Sequence, residues 1–431
     1  MTAHLEFDRS DDKVANRIHK MRSSPVRDLF SAATRDDVIS LSGGMPDVRL
    51  LPVEEVDRAI EAAMHSPKDR AEALQYGSTE GRPGMRSVVC DLVRDVGIRC
   101  KPENVLLTSG AQEALDLIGK TFIDAGDIII TEGPTYLTAL QAFSAYEPEV
   151  HFVECDEGGM RMDLLEAELE RIGHNNPRLK FAYVIPNFQN PSGVTMTPER
   201  RRRLVELSHE YNFIIVEDDP YGRIRFEGGH QIPCKALDDE VVYLGTISKI
   251  FAPGLRVGWV VAPRHVLSKL SLVKQGTDLC GSSIDQSIVQ HYFTDTPWQR
   301  VLQKFISVYT ERRDAMLAAL EEYFPPEATW THPEGGLFIW VTLPEYVDTG
   351  SMLAEALDAG VTYVPGDSFY PKASGGKNCM RINFSYESPE NLTEAIRRLA
   401  EVIERRLELY RVFIDAGAID PSRAPINVHM R

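Results

Sequence analysis

"KFAYVIPNFQNPSGVTMTPERRRRLVELSHEYNFIIVEDD", residues 180–219, contains two apolar runs on either side of an amphipathic stretch. The runs "KFAYVIP" (180–186) and "NFIIVEDD" (212–219) are unbroken and rich in β-branched and aromatic residues, as strands buried on both faces require. Between them, "TPERRRRLVELSHEY" (197–211) places Leu204, Leu207 and Tyr211 on one helical face, and the arginines are expected to solvate the other. A strand, a helix and a second strand in this order form the repeating unit of a parallel α/β sheet.

The same alternation extends outward. "NVLLTSG" (104–110), "DIIITEG" (127–133), "VHFVECD" (150–156), "VVYLGT" (241–246) and "RVGWVVAP" (256–263) complete seven strand candidates. The expected fold class is α/β: a large unit with a mainly parallel seven-stranded sheet flanked by helices, followed by a smaller α+β unit. We expect the large unit over 51–295 and the small one over 296–431. The small unit would begin with a long helix from "WQRVLQKF", continue through the strands "GGLFIWVTL" and "CMRINFSY", and close with a helix near 388–410. Residues 1–50 are expected to pack with the small unit, with "SPVRDLFSAA" helical.

The bulk properties narrow the function. A formal net charge of −17 offers no surface to neutralise phosphates along a duplex, which argues against nucleic acid. No apolar run reaches the roughly 18 residues of a membrane helix, and the N-terminus is too charged for a secretory signal. Six scattered cysteines without a CxxC pair fit reduced thiols, so a cytoplasmic location is expected.

Ligands of such sheets gather at the carboxyl ends of the strands. "TSGAQEALDLIGKTFI" puts Gly110, Ala111 and Gln112 at a helix start, where free N–H groups suit a phosphate. A plain Ser/Gly helix cap explains the same residues. "NFQNPSG" offers Asn190, yet it also reads as a turn. "IIVEDDPYG" ends a strand on Asp218 with Tyr221 close behind; an acid there suits a protonated heterocycle or a solvated turn. "GTISK" supplies Thr246, Ser248 and Lys249, with Arg256 seven residues beyond the lysine. A lone lysine is ordinarily a surface residue. Together, however, these strand ends supply a phosphate cradle, a carboxylate, two partners for a phenolic oxygen and an amine nucleophile. Pyridoxal 5'-phosphate requires that set. No metal-ligand spacing accompanies it.

With these motifs the chain resembles the fold-type I pyridoxal-phosphate aminotransferases of class I/II, closest to the kynurenine/2-aminoadipate branch. The resemblance runs from "SPVRDLF" to about residue 405, with "SLSGGMP", "LQYGSTEG", "EGPTYLTALQAF", "PNFQNPSG", "VEDDPYG", "SKIFAPGLRVGW", "GGLFIW" and "MRINFS" in family order. It implies an aspartate aminotransferase-like fold and the following roles. Lys249 forms the Schiff base and shuttles the proton, Asp218 pairs with the pyridine nitrogen, and Asn190 and Tyr221 hold the ring oxygen. Tyr136 stacks on the ring. Gly110, Ala111, Gln112, Thr246, Ser248 and Arg256 surround the phosphate, with Ala111 offering only its N–H where relatives carry Ser. Arg381 clasps the substrate carboxylate, helped by the Gly44 N–H, with two weaker carry-overs: Arg27 at a substrate-gating position and Phe338 lining the side-chain pocket. Tyr76 reaches the phosphate of the neighbouring subunit, which implies a homodimer with shared active sites. The implied reaction passes an amino group from an aromatic, 2-aminoadipate-like or branched-chain L-amino acid to a 2-oxo acid such as 2-oxoglutarate, by a ping-pong mechanism. A β-eliminating lyase on the same fold is the alternative. A non-catalytic regulator domain is a lesser one, because no helix-turn-helix pattern precedes "SLSGGMP".

Overall fold

The computed structural model describes residues 13–21, 37–371 and 374–415. The helix expected over "SPVRDLFSAA" therefore lies outside the described residues.

The large sheet contains β1 (Val105–Thr108), β2 (Ile128–Gly133), β3 (Glu149–Asp156), β4 (Gly159–Met160), β5 (Leu179–Val184), β6 (Ile214–Asp218), β7 (Val242–Thr246) and β8 (Gly258–Val261). Their spatial order is β1-β8-β7-β6-β5-β2-β3-β4. Neighbours from β7 through β3 pair in parallel, whereas β8 is antiparallel to both β7 and β1. All seven expected runs are strands. The eighth, β4, is a two-residue hairpin return on the β3 edge, made where Gly159 adopts φ +92°. A strand that short leaves no periodic pattern to read.

Alternate residues of each strand feed opposite faces. Phe181, Tyr183, Val216 and Leu244 pack with Leu115 and Ile118 of the helix Gly110–Phe122. Ala182, Val184 and Ile215 pack with Leu204 and Leu207 of the helix Pro198–Tyr211. That second helix starts where Thr197 caps the Arg200 N–H and Pro198 presets φ; it stops at Asn212, whose φ of 60° is left-handed. Its arginines do not all solvate one face, contrary to expectation. Arg201 is 1% exposed and donates to the carbonyls of Met196 and Pro186 and to Asn187 Oδ1. Pro186 and Met196 bracket the loop after β5, with the Met196 N–H on the Pro186 carbonyl, and this guanidinium ties the two ends together.

The small sheet, in order β9-β10-β12-β11, is antiparallel: β9 (Thr329–Trp330), β10 (Phe338–Thr342), β11 (Val364–Pro365) and β12 (Cys379–Asn383). Helices Trp298–Tyr323 and Pro389–Asp415 pack together beside it. Ile39–Ser40 pairs in parallel with Val361–Thr362, which draws the chain around residues 39–47 into this unit and toward the large sheet. Among the described residues, no helix is long and apolar enough to cross a membrane.

Candidate active site

Because β1, β5, β6 and β7 run the same way, their carboxyl ends open on one side, and β8 begins there. A cavity of about 160 Å³ occupies this position. Lys249, Asp218, Tyr221, Asn190 and Tyr136 line it, as do Ala111, Gln112, Thr246, Ser248 and Arg256. Ten residues from five separate motifs thus meet in one space.

Asp218 ends β6 and is 2% exposed. Tyr183 donates to its Oδ2 at 2.8 Å, while Oδ1 has no partner and is buried. Burial pushes the carboxyl up to about 7; neighbouring Asp219 adds to this, and the Tyr183 bond and Lys249 oppose it. An orphaned carboxylate oxygen in a dry wall demands a donor or cation from the cavity. Lys249 Nζ donates to the Gly44 carbonyl at 2.8 Å. Burial first, then the charges of Arg381 and Arg256, lower its amine to about 8, so roughly a tenth is neutral and nucleophilic at pH 7, against well under a hundredth for an ordinary lysine.

The opposite end is built for an anion. Gly110 opens its helix with φ +75°, and a Cβ there would stand 2.4 Å from Arg256 Nη2. Only glycine admits the guanidinium so close to the helix start. Gly258 has the same role from the other side: a Cβ on it would meet Gly110 C at 2.6 Å. Arg256 donates to the Ser109 carbonyl at 3.2 Å, and the Thr246 and Ser248 hydroxyls stand 2.8 Å apart beside it. The first-turn N–H groups of a helix lack intrahelical acceptors, so those of Ala111 and Gln112 remain available.

Arg381 enters from the centre of the small sheet, paired in register with Trp340 and Val364. It is 3% exposed and donates to Asn190 Oδ1 at 3.0 Å and to the Ser42 carbonyl at 2.8 Å. Its guanidinium lies 4.1 Å from the Phe338 ring centroid and 5.2 Å from that of Phe369. Nε has no partner, and burial lowers the group to about 10. A desolvated fork with an unused donor suits a small carboxylate. Tyr221 stands edge-on to Phe338 at 5.8 Å, 3.5 Å from Asn190 Nδ2.

One expected residue stands apart. Tyr76 is 80% exposed and lines no part of its own chain's cavity. Arg27 lies outside the described residues. Gly44 reaches the site through its carbonyl on Lys249.

The sequence reading missed Tyr183, Glu132 and Gln189. Tyr183 was one aromatic within an apolar run, and nothing in that run marks its hydroxyl. Glu132, next to last in β2, is 1% exposed, with its carboxyl pushed up to about 8 by burial. It accepts from Ile185 N and Gln189 Nε2, while Gln189 also donates to Pro134 O and accepts from Ser192. This clamp holds the Asn190 turn against the end of β2 without help from a regular element.

The site fits pyridoxal phosphate in its chemistry: an acid with an unpartnered oxygen, a lysine of lowered basicity and a cationic helix start surround one cavity. Comparisons with known proteins agree. The family "Aminotransferase class I and II" matches residues 36–399. Aromatic-amino-acid aminotransferase 1 of Thermococcus litoralis is 46% identical over 391 residues, 90% of this chain and 93% of the relative. The 2-aminoadipate transaminase of Thermus thermophilus is 36% identical, over 94% of this chain and 99% of the relative. A crystal structure of Pyrococcus horikoshii kynurenine aminotransferase, in complex with PMP and kynurenine, superposes with a TM-score of 0.88 at 42% identity, covering 93% of this chain and 99% of that one.

Proposed function

The chain belongs to the class I and II aminotransferases, and we propose that its amino donors are aromatic or 2-aminoadipate-like L-amino acids. The acceptor in this reading is a 2-oxo acid such as 2-oxoglutarate. The observation that carries it is the Arg381 guanidinium, buried between Phe338 and Phe369 and bonded to Asn190. A carboxylate gripped there brings an aromatic side chain against aromatic walls. The names of the Thermococcus litoralis and Thermus thermophilus relatives support both donor classes.

Bound in the cavity, pyridoxal phosphate supplies a carbonyl that takes up the amino group and a ring that withdraws electrons from the substrate Cα. In this reading Arg256, Ser248, Thr246 and the N–H groups of Ala111 and Gln112 hold its phosphate, with Gly110 keeping the approach open. Asp218 Oδ1 holds a proton at the ring nitrogen. Asn190 and Tyr221 orient the ring oxygen, and Tyr136 covers one ring face. Lys249 would be the residue that bonds the cofactor, and its free amine would move a proton from the substrate Cα, which its lowered basicity suits. Arg381, with the Gly44 N–H, would hold the substrate carboxylate.

A homodimer belongs to the same reading. Tyr76 (80% exposed), Leu74 (66%) and Val53 (67%) project from adjoining elements, with no role in their own chain's site. A second copy would cover them and bring Tyr76 to its phosphate. Light scattering of the purified enzyme tests this. A cytoplasmic location is also proposed, supported by the free thiols; fractionation against a cytosolic marker tests it.

The donor class is tested by half-reactions. Holoenzyme is mixed with each L-amino acid without acceptor, and conversion of the cofactor to its aminated form is read by absorbance. Phenylalanine, tyrosine, kynurenine and 2-aminoadipate should react fastest, releasing one 2-oxo acid per site. Fastest reaction with alanine or aspartate would overturn the donor assignment. Pyruvate and ammonia released without amination would overturn the reaction type.

A further inference from the structure

Away from the cavity, two sulfurs approach one another. The Cys100 thiol donates to Cys90 Sγ across 3.4 Å. Cys90 lies within the helix Pro83–Arg94, 5% exposed. Cys100 is half-buried, in the connection between that helix and the short turn Pro102–Asn104 ahead of β1. Neither lines the active-site cavity. We propose that Cys90 and Cys100 form an oxidative modification site, which a peroxide closes into an intramolecular disulfide.

The geometry separates this pair from the other thiols. Cys155 points its sulfur at the Val153 carbonyl at 3.9 Å, and Cys379 sits 3.6 Å from Thr342 Oγ1. Each is buried, with oxygen as its neighbour. Cys90 and Cys100 have sulfur as theirs, and the half-buried Cys100 gives a small oxidant access. A disulfide needs the sulfurs at about 2.05 Å, so roughly 1.4 Å must be closed. Cys100 belongs to no helix or strand, and it lies two residues beyond Ile98, whose N–H bonds the Val93 carbonyl of the helix at 3.0 Å. Residues 96–98 hold to the helix by such bonds and by the burial of Val96 and Ile98, so the closure falls on the segment 99–101. At Cys90 the Cys100 S–H comes first in favouring the thiolate, with Arg94 and Arg86 adding to it while burial and Asp91 oppose it; at Cys100 the same bond and burial push the thiol up. The shared proton makes Cys90 the readier of the two to ionise, since the Cys100 S–H stabilises its charge.

The chemistry balances with hydrogen peroxide as the two-electron oxidant. One thiolate attacks a peroxide oxygen, the O–O bond breaks, and water leaves a sulfenic acid. The second sulfur then attacks that sulfur, expelling the oxygen as a second water. Two thiols and one peroxide give one disulfide and two waters. The closed loop ties the end of the helix to the connection that leads into β1.

The test uses holoenzyme treated with one equivalent of hydrogen peroxide, then denatured with an alkylating agent. The expected result is a fall from six free thiols to four and a disulfide joining tryptic peptides 87–94 and 100–120. The melting temperature should rise by roughly 3 °C, reversed by dithiothreitol. In Cys100→Ser, peroxide should neither form this linkage nor raise the melting temperature. Six thiols left free, sulfinic acid at either residue without a linked peptide, or a linkage through other cysteines would overturn the proposal. Because the peptide map is made on the unaltered protein, it decides the question even if the variant folds poorly.

Discussion

Replacing Tyr183 with phenylalanine removes one hydroxyl, 2.8 Å from Asp218 Oδ2, and leaves the ring packed edge-on against Phe143. A hydrogen bond to a buried charged group is worth about 1.5–3 kcal/mol, which is roughly 1–2 pKa units. Asp218 begins at about 7, so in the variant apoenzyme it should titrate near ~8.5. At pH 7.5 the ionised fraction then falls from about 0.8 to about 0.1. Only the ionised acid can pair with a protonated ring nitrogen, so the apparent Kd for pyridoxal phosphate should rise ~8-fold. At pH 9.5 both forms are ionised, and the difference should shrink to within about twofold. Titration of apoenzyme with cofactor, followed by quenching of protein fluorescence at both pH values, measures this. A loss of affinity that does not vary with pH, or none at all, would show that Tyr183 merely fills space.

Asp218→Asn probes the same acid through stability. The folded pKa of Asp218 lies above its unfolded value, so the folded apoprotein binds the proton more tightly, and its stability falls as pH rises from about 4 to about 7. Above that window the ionised side chain costs on the order of 4 kcal/mol, which asparagine avoids. The apo variant should melt higher than the apo parent at pH 8 by scanning calorimetry, with the gap closing toward pH 4, while its cofactor affinity collapses. Gly110→Ala forces a side chain into a left-handed position 2.4 Å from Arg256 Nη2; cofactor Kd should rise at least ~10-fold from the lost phosphate geometry. Arg381→Lys keeps the charge but loses the planar fork, so KM for the amino donor should rise ~10–100-fold. Its cofactor affinity should stay within about twofold, and a matching loss of cofactor would contradict the substrate role.

What the sequence revealed follows from how locally each feature is encoded. β5 and β6 are buried on both faces, so their apolar runs are continuous, and the helix between them has its own cap and stop residues. Lys249, Asp218 and Asn190 were legible because strand ends are where polar residues interrupt such runs. Tyr183 was hidden because its ring satisfies the core pattern while its hydroxyl works at the site. Arg201 looked like one of four solvated arginines; its partners are carbonyls after β5, and helical periodicity says nothing of those. The Cys90–Cys100 approach likewise depends on how the connection folds back on its helix.

The central claim is that Lys249 is the residue that bonds the cofactor. Borohydride reduction of the holoenzyme, followed by tryptic mapping, tests it most directly. The cofactor should become fixed on the peptide 236–256, with cleavage blocked after Lys249. Lys249→Ala should take up no reducible cofactor. Label found on another lysine, or an unchanged reducible imine in Lys249→Ala, would contradict it.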